Sequence, residues 1–572
     1  MFPDSEIAQG IKMKKTKASY IIQDGIGQEE KESVANKCRN SKFSLIIDEC
    51  TDISVSQVLA EMVRFYDEGK CRVTDALLDV IEVDDASAEG LYKSVKKLLQ
   101  SNEIPPHNIV GFASDNCSTM LGAHKGFQAY LKNDVPSVFI LGCVCHSFAL
   151  CASQAASTLP SWLESFLKDV CNYFARSSKR QHLFQMIQDV AQTPKHRMLK
   201  LSQTRWLSRG AVVSRVLEQW DALLLFFQGE SKIDKVDGAA HIHKMMTTPG
   251  TKHMLLFLNY VLHKVDRMNI EFQSQYFRLS SLYSTISDEY RCILSMFVRE
   301  EVFQSHRLKN IDPHNPELYK AVDNIELGGR CEAIFMKEPL RENENRFRLD
   351  CLKFLVELCG QMRKRFTFEE DSTLAMLKVL EPKEALSPQK SLQSIIKLAV
   401  KFPTLVREED LDDLQDEWKN LLHFKESLKN MSDSAISFWH ELRAVKDGNN
   451  SQKFKLLPDF MCSLLALPHS SACVERIFSQ LNIIKTKRTN KLHVSTVANR
   501  LLAKQAIARQ GATCCQWEPS ASLIRNVVDG QCHKRYLARE AARKQKEVTT
   551  MYSDDADLSS EEEEEPLHVF LQ

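Results

Sequence analysis

The sequence predicts an α/β protein: a mixed sheet with helices packed on it, a large all-helical region, and a compact helical C-terminal segment. Three observations predict it. Residues 42–150 hold short apolar runs in the order strand, strand, strand, helix, strand, helix, strand. Residues 151–445 are dominated by helical periodicity without strand alternation, and residues 454–510 form an amphipathic helical pair.

Leu45-Ile46-Ile47 makes a strand over Ser44–Asp48, because a run apolar on both faces suits a strand covered from both sides. Val58–Tyr66 alternates through Leu59, Glu61, Val63 and Phe65. It turns at Asp67-Glu68-Gly69-Lys70 and returns as Val73–Val83, the pattern of a hairpin. Leu91, Val95, Leu98 and Leu99 share one helical face, and Pro105-Pro106 closes that helix. Ile109-Val110-Gly111-Phe112-Ala113 is a further strand, ending at Ser114-Asp115. A helical pattern then runs to about Leu131, before the strand Val138-Phe139-Ile140-Leu141. From about Leu150 to Leu442 helices continue, with breaks near Gly250, Asn310–Asn315 and Pro382–Pro388. They predict a helical domain inserted into, or following, the α/β part. After the loop Gly448-Asn449-Asn450-Ser451, Ile477, Leu481 and Ile484 recur at helical spacing, and Leu492 to Ala508 forms a second amphipathic segment. Residues 1–41 are expected to be an N-terminal remnant or linker. Residues 530–572 are expected to be a disordered tail, basic from Lys534 to Lys546 and acidic after it.

With 572 residues, 43% hydrophobic and 26% charged, the chain has the composition of a globular protein with a real core. Its 17 cysteines are odd in number and follow no short frame, which favours reduced thiols over a disulfide scaffold. No window approaches the ~18 consecutive apolar residues of a membrane span, and the N-terminus lacks a secretory pattern, so no membrane partner is expected. The 19 glycines form no phosphate-cradling or dinucleotide-binding pattern, which removes support for nucleotide-driven motors and hydride transfer.

The net charge is zero, 75 Lys+Arg against 75 Asp+Glu, but the charge is sorted along the chain. Arg476, Lys485, Lys487, Arg488, Lys491, Arg500, Lys504 and Arg509 follow one another without an acid, and Ala191–Leu217 is a second acid-free basic stretch. The acids gather in Glu408–Glu417 and in a tail of Asp554, Asp555, Asp557 and Glu561–Glu565. Acidic runs are usually solvated faces or tails, whereas two acid-free basic stretches point to a polyanion partner.

Asp48 and Asp115 each end a strand-like run. On neighbouring strands their carboxylates leave the same sheet edge, where hard oxygens suit Mg²⁺; by spacing alone, they read more readily as strand caps. A third carboxylate from a helix would complete a two-metal site. Cys143, Cys145, His146 and Cys151 read more readily as a reduced buried cluster than as zinc ligands, because no second Cys/His pair follows at finger spacing. Arg205-Trp206 pairs a phosphate fork with a stacking surface, or anchors a helix start in the core.

In chain order, several pieces resemble the hAT superfamily of DNA transposases (hobo, Activator, Tam3) and the vertebrate proteins domesticated from them. They are Ile46-Ile47-Asp48-Glu49-Cys50-Thr51-Asp52; Phe112-Ala113-Ser114-Asp115-Asn116 with Ser118-Thr119-Met120; Cys143-x-x-His146; Thr204-Arg205-Trp206-Leu207-Ser208; and Ser470 to Ser479, continuing through Lys487 to Leu492. The resemblance implies an RNase H-like core split by the helical insertion, with residues 454–510 carrying the last core helix and a dimerisation segment. It implies Asp48, Asp115 and Glu475 as the catalytic, metal-binding triad for two Mg²⁺ ions, with Cys143 and His146 close by. Trp206, beside Arg205, would stack on a base, and Arg476, Lys485, Lys487, Arg488 and Lys491 would contact DNA. The implied chemistry is water attack at an element end, then attack of the freed 3′ hydroxyl on DNA. The implied setting is the nucleus, with DNA, a second copy of the chain, and other nuclear proteins at the acidic tail as partners.

Two departures bear on activity. Only Cys38 precedes Asp48, so this chain is not expected to build the family's BED-type zinc finger, and Cys50 stands where many active members carry Trp. The alternative function is therefore a domesticated, non-catalytic nuclear scaffold that keeps the fold for dimerisation and binding.

Overall fold

The computed structural model describes residues 13–175, 177–200, 207–233, 237–274, 276–387, 392–423 and 432–542. Its sheet consists of β1 (Phe43–Thr51), β2 (Gln57–Asp67), β3 (Arg72–Glu82), β4 (Ile109–Ser114) and β5 (Phe139–Gly142), in the order β3-β2-β1-β4-β5. β1, β2 and β3 pair antiparallel, whereas β4 lies parallel to β1 and β5 parallel to β4. Tight turns suffice for the antiparallel part. The parallel part needs crossovers, supplied by the helical connections α2 (Ala88–Ser101) and α3 (Phe127–Asp134). The continuous pattern expected to Leu131 is broken: a short helix ends at Leu121, and Gly122 and Gly126 approach each other more closely than side chains permit.

Both sheet faces are buried, which explains why β1 is apolar at successive positions. Leu45, Ile47, Leu59, Val63 and Phe112 face α1 (Gln28–Asn40), α2 and α3, with Val34, Leu91, Val95 and Phe127 in the same cluster. Ile46, Val58, Ala60, Met62 and Ala113 face two helices from the far end of the chain.

Between these ends lies the expected helical region. α4 (Val144–Ala156) starts just after β5 and packs along α6 (Glu344–Arg365), and α5 (Thr251–Phe272) runs against α4 as well. The core is continuous from Val144 to Leu467, with Phe148 4.6 Å from Phe366 between ring centroids. Fully burying such side chains contributes about 1.5–3 kcal/mol each. Trp418 and Trp439 are fully buried, and the Trp439 indole donates to the Leu380 carbonyl at 2.8 Å. Among the described residues, β pairing in this region is limited to the isolated bridges Val298–Tyr319 and Lys446–Gln452, and no helix is long and apolar enough to cross a membrane.

The chain then returns to the sheet as α7 (Ala472–Ile484) and α8 (Val494–Arg509), which cover the face of Ile46 and Val58. Two expectations need correction. The described part of residues 1–41 is helical rather than a linker: Ile21–Gly27 forms a π-helical segment against α8, where Gly27 leaves no room for a side chain beside the Asn499 backbone. Residues 531–542 are helical as well, tied back by Arg539, which pairs with Asp24 at 2.7 Å. The acidic tail lies outside the described residues.

Candidate active site

Two apolar runs end side by side at one edge of the sheet. Ile46 lies opposite Ala113 in parallel register, so two residues further on Asp48 comes level with Asp115. Ile46 and Asp48 share a strand face by their spacing, and it is the face that α7 covers. The first turn of α7 carries Glu475, and Val474 and Ile477 pack with Ile46, Val58 and Ala113 beneath that turn. The three predicted carboxylates therefore converge from β1, β4 and α7.

Their electrostatics reflect this crowding. Burial and then the Asp115 charge push the Asp48 carboxyl up to about 7, with Cys143 and Glu475 adding to the effect, against one backbone hydrogen bond from the Glu49 N–H at 2.9 Å. Glu49 is raised too, by burial and by Asp115. The largest influences on Asp48 are burial and neighbouring acidic groups rather than a cation. Crowded hard oxygens fit a divalent ion by charge and by chemistry. Among the described residues, no three His, Cys, Asp or Glu form a metal-holding group.

The neighbourhood is held by contacts that the sequence left unassigned. Asn116 donates to the Cys143 carbonyl at 3.0 Å and to Ser147 Oγ at 2.9 Å, over Gly142, where a Cβ would lie 2.1 Å from the Asn116 side-chain oxygen. Cys143, buried at the start of α4, is hydrogen-bonded by Cys145 and Ser471, which carry its thiol down to about 6 in spite of burial. Cys145 is driven up by the same pair and points at the Asn269 carbonyl. Cys143, Cys145 and Cys151 are free and buried, as a reduced cluster requires, while His146 lies on the exposed side of α4. The loop before α7 fastens the end of α5: Ser470 Oγ donates to the Phe272 carbonyl at 2.8 Å, and His469 Nε2 lies 3.3 Å from the Ser274 carbonyl oxygen.

The basic residues divide. Lys487, Arg488 and Lys491 are exposed after α7, and Arg476 donates to the Gln273 carbonyl at 3.0 Å. Lys485, expected to contact DNA, is instead buried and paired with Asp52 at 2.5 Å. Asp52 also accepts from the backbone of Ser54 at 2.7 Å and Ser56 at 3.2 Å. Withdrawing Lys485 to meet a phosphate would strand a buried carboxylate, so its position is structural. Asp52 stood in the quoted motif, but its partner is 433 residues away and no local pattern marks it. Arg205 and Trp206 lie outside the described residues.

Two family models match stretches of this chain. Residues 8–126 match the family described as ZMYM1/FAM200, RNase-like domain. Residues 410–507 match the hAT family C-terminal dimerisation region, which begins well before the expected segment 454–510. A curated relative, General transcription factor II-I repeat domain-containing protein 2 of Bos taurus, is 23% identical over 294 residues, 50% of this chain. The match covers 29% of that protein's length.

Proposed function

We propose that this transposase-derived chain, which joins an RNase-like domain to a hAT-type C-terminal dimerisation region, is a self-associating nuclear DNA-binding protein whose acidic cluster supports divalent-metal phosphodiester chemistry. The supporting observation is the level placement of Asp48 and Asp115 on parallel neighbours beneath the first turn of α7. Asp48, Asp115 and Glu475 would hold the Mg²⁺ ions, which supply Lewis-acid charge and a more acidic bound water. The chain's own residues do the rest. The packing of Val474 and Ile477 sets the height of Glu475 over the strands. Asn116 fixes the turn after Asp115 against α4. Exposed Lys487, Arg488 and Lys491 offer charge to a phosphate backbone.

The test is cleavage or strand transfer on pre-nicked DNA with Mg²⁺ or Mn²⁺. Asp115→Asn is expected to abolish product while leaving DNA binding intact, and activity unchanged by that substitution would remove the site. A second reading is a non-catalytic scaffold, motivated by Cys50 at the position where many active members of the family it resembles carry Trp. It predicts concentration-dependent dimers and salt-sensitive DNA binding with no metal-dependent product.

A further inference from the structure

A groove of about 370 Å³ lies between the edge strand β3 and helices α7 and α8. We propose that it seats the sugar-phosphate backbone of a DNA strand beside the acidic cluster, an inference that rests on the DNA-binding reading above. Four cations line it, Arg72, Arg476, Lys504 and Arg509, against a single acid, Asp75.

That acid is already neutralised. Arg64 grips Asp75 through two nitrogens, at 2.6 and 2.9 Å. Burial alone would raise the Asp75 carboxyl, but Arg64, then His469 and Arg476, hold it below the usual carboxylate range. The cations are less compensated. Arg509 pairs with Glu30 at 2.7 Å, yet its Nε has no hydrogen-bond partner. Among the described residues, Arg72, Arg476 and Lys504 form no ion pair with a carboxylate, and Arg72 and Lys504 are exposed. Arg476 spends one N–H on the Gln273 carbonyl, out of the five donors a guanidinium carries. Lys70, in the β2–β3 turn, feels the crowding: burial first, then Arg509 and Arg72, lower its pKa.

The geometry suits an extended polyanion better than a point anion. Leu501, Lys504, Gln505 and Ala508 recur at helical spacing along α8, so the lining runs lengthwise rather than closing into a pocket. At its other end Arg476 is the direct sequence neighbour of Glu475, and its bond to Gln273 fixes it against the end of α5. A strand lying in the groove is thereby indexed to the carboxylates from the side away from Lys487 to Lys491. The groove joins Arg72 from a hairpin to Lys504 from a helix beyond the insertion, so no single stretch of the chain carries it.

The full-length chain and two variants, Arg72→Ala/Lys504→Ala and Arg72→Lys/Lys504→Arg, are titrated with fluorescent duplex DNA across a salt series. Each lost phosphate contact reduces the slope of log K against log salt by about 0.9, so the alanine pair is expected to lower it by nearly 2 and to weaken low-salt binding at least tenfold. The charge-retaining pair restores both, while Mn²⁺ binding by calorimetry and the sedimentation coefficient stay at wild-type values. Wild-type slope and affinity in the alanine pair would overturn the groove and leave the DNA reading standing. A change in sedimentation coefficient without a change in slope would make the groove a protein contact and overturn the proposal. Absence of salt-dependent binding by the wild type would remove the groove and the DNA reading together.

Discussion

Glu61 sits in the middle of β2, fully buried, between Ile47 on one neighbouring strand and Asp79 on the other. Neither of its carboxylate oxygens has a hydrogen-bond partner. Burial, and then the Asp79 charge, push its pKa well above the usual glutamate range, with only Lys31 opposing. Lys31 is itself paired with Asp79. An acid whose pKa rises on folding binds its proton more tightly when folded. Its favourable contribution is complete below the unfolded value and is lost as pH climbs towards the folded one. Glu61→Gln is therefore expected to stabilise the protein at pH 8, by about 1–3 kcal/mol, with the advantage vanishing near pH 4. Thermal unfolding of both proteins at the two pH values checks this, and an advantage that persists at pH 4 would contradict it.

Between elements, the Lys485–Asp52 pair joins the last residue after α7 to the turn after β1, and Ser54 Oγ adds a bond to the Asn490 carbonyl at 2.7 Å. The strand of Asp48 and the helix of Glu475 are thus clamped just past the end of β1, at the far end of α7 from Glu475. Lys485→Met leaves Asp52 buried without its counter-charge and is expected to cost about 3–5 kcal/mol, seen as faster hydrogen exchange over residues 472–484. Unchanged exchange there would show that packing alone holds α7. The elements themselves were largely legible. Apolar runs and turn residues marked all five strands within a few residues, because a strand covered on both faces must be apolar and a hairpin must turn. Asp48 and Asp115 were legible as the polar ends of those runs. Three things were not: the packing of Ile21–Gly27 on α8, the clamp, and the groove. Each joins residues hundreds of positions apart, and nothing local distinguishes a paired lysine from a phosphate-binding one.

For the whole molecule, zero net charge is a cancellation between separate places. The exposed cations after α7 and in the groove belong to the side of the sheet that carries the acidic cluster, whereas Glu408–Glu417 and the tail hold the compensating acids. Removing residues after about Met551 is expected to strengthen non-specific DNA binding at low salt, with the difference shrinking as salt rises. Equal affinities at matched ionic strength would show that the tail does not compete. The dimerisation region spans 410–507, so it includes α7 and most of α8, and the helix that carries Glu475 lies within it.

The order of the chain also sets the order in which the protein can be completed. The five strands are translated early, but the face of Ile46, Val58, Ala60 and Met62 is covered by helices made only after the whole insertion. At ~5–20 residues per second, that apolar face waits on the order of tens of seconds on the ribosome. A transcript cut short before residue 472 releases a chain whose sheet is still bare on one side, and its fate is aggregation or capture by a chaperone rather than a soluble half-protein.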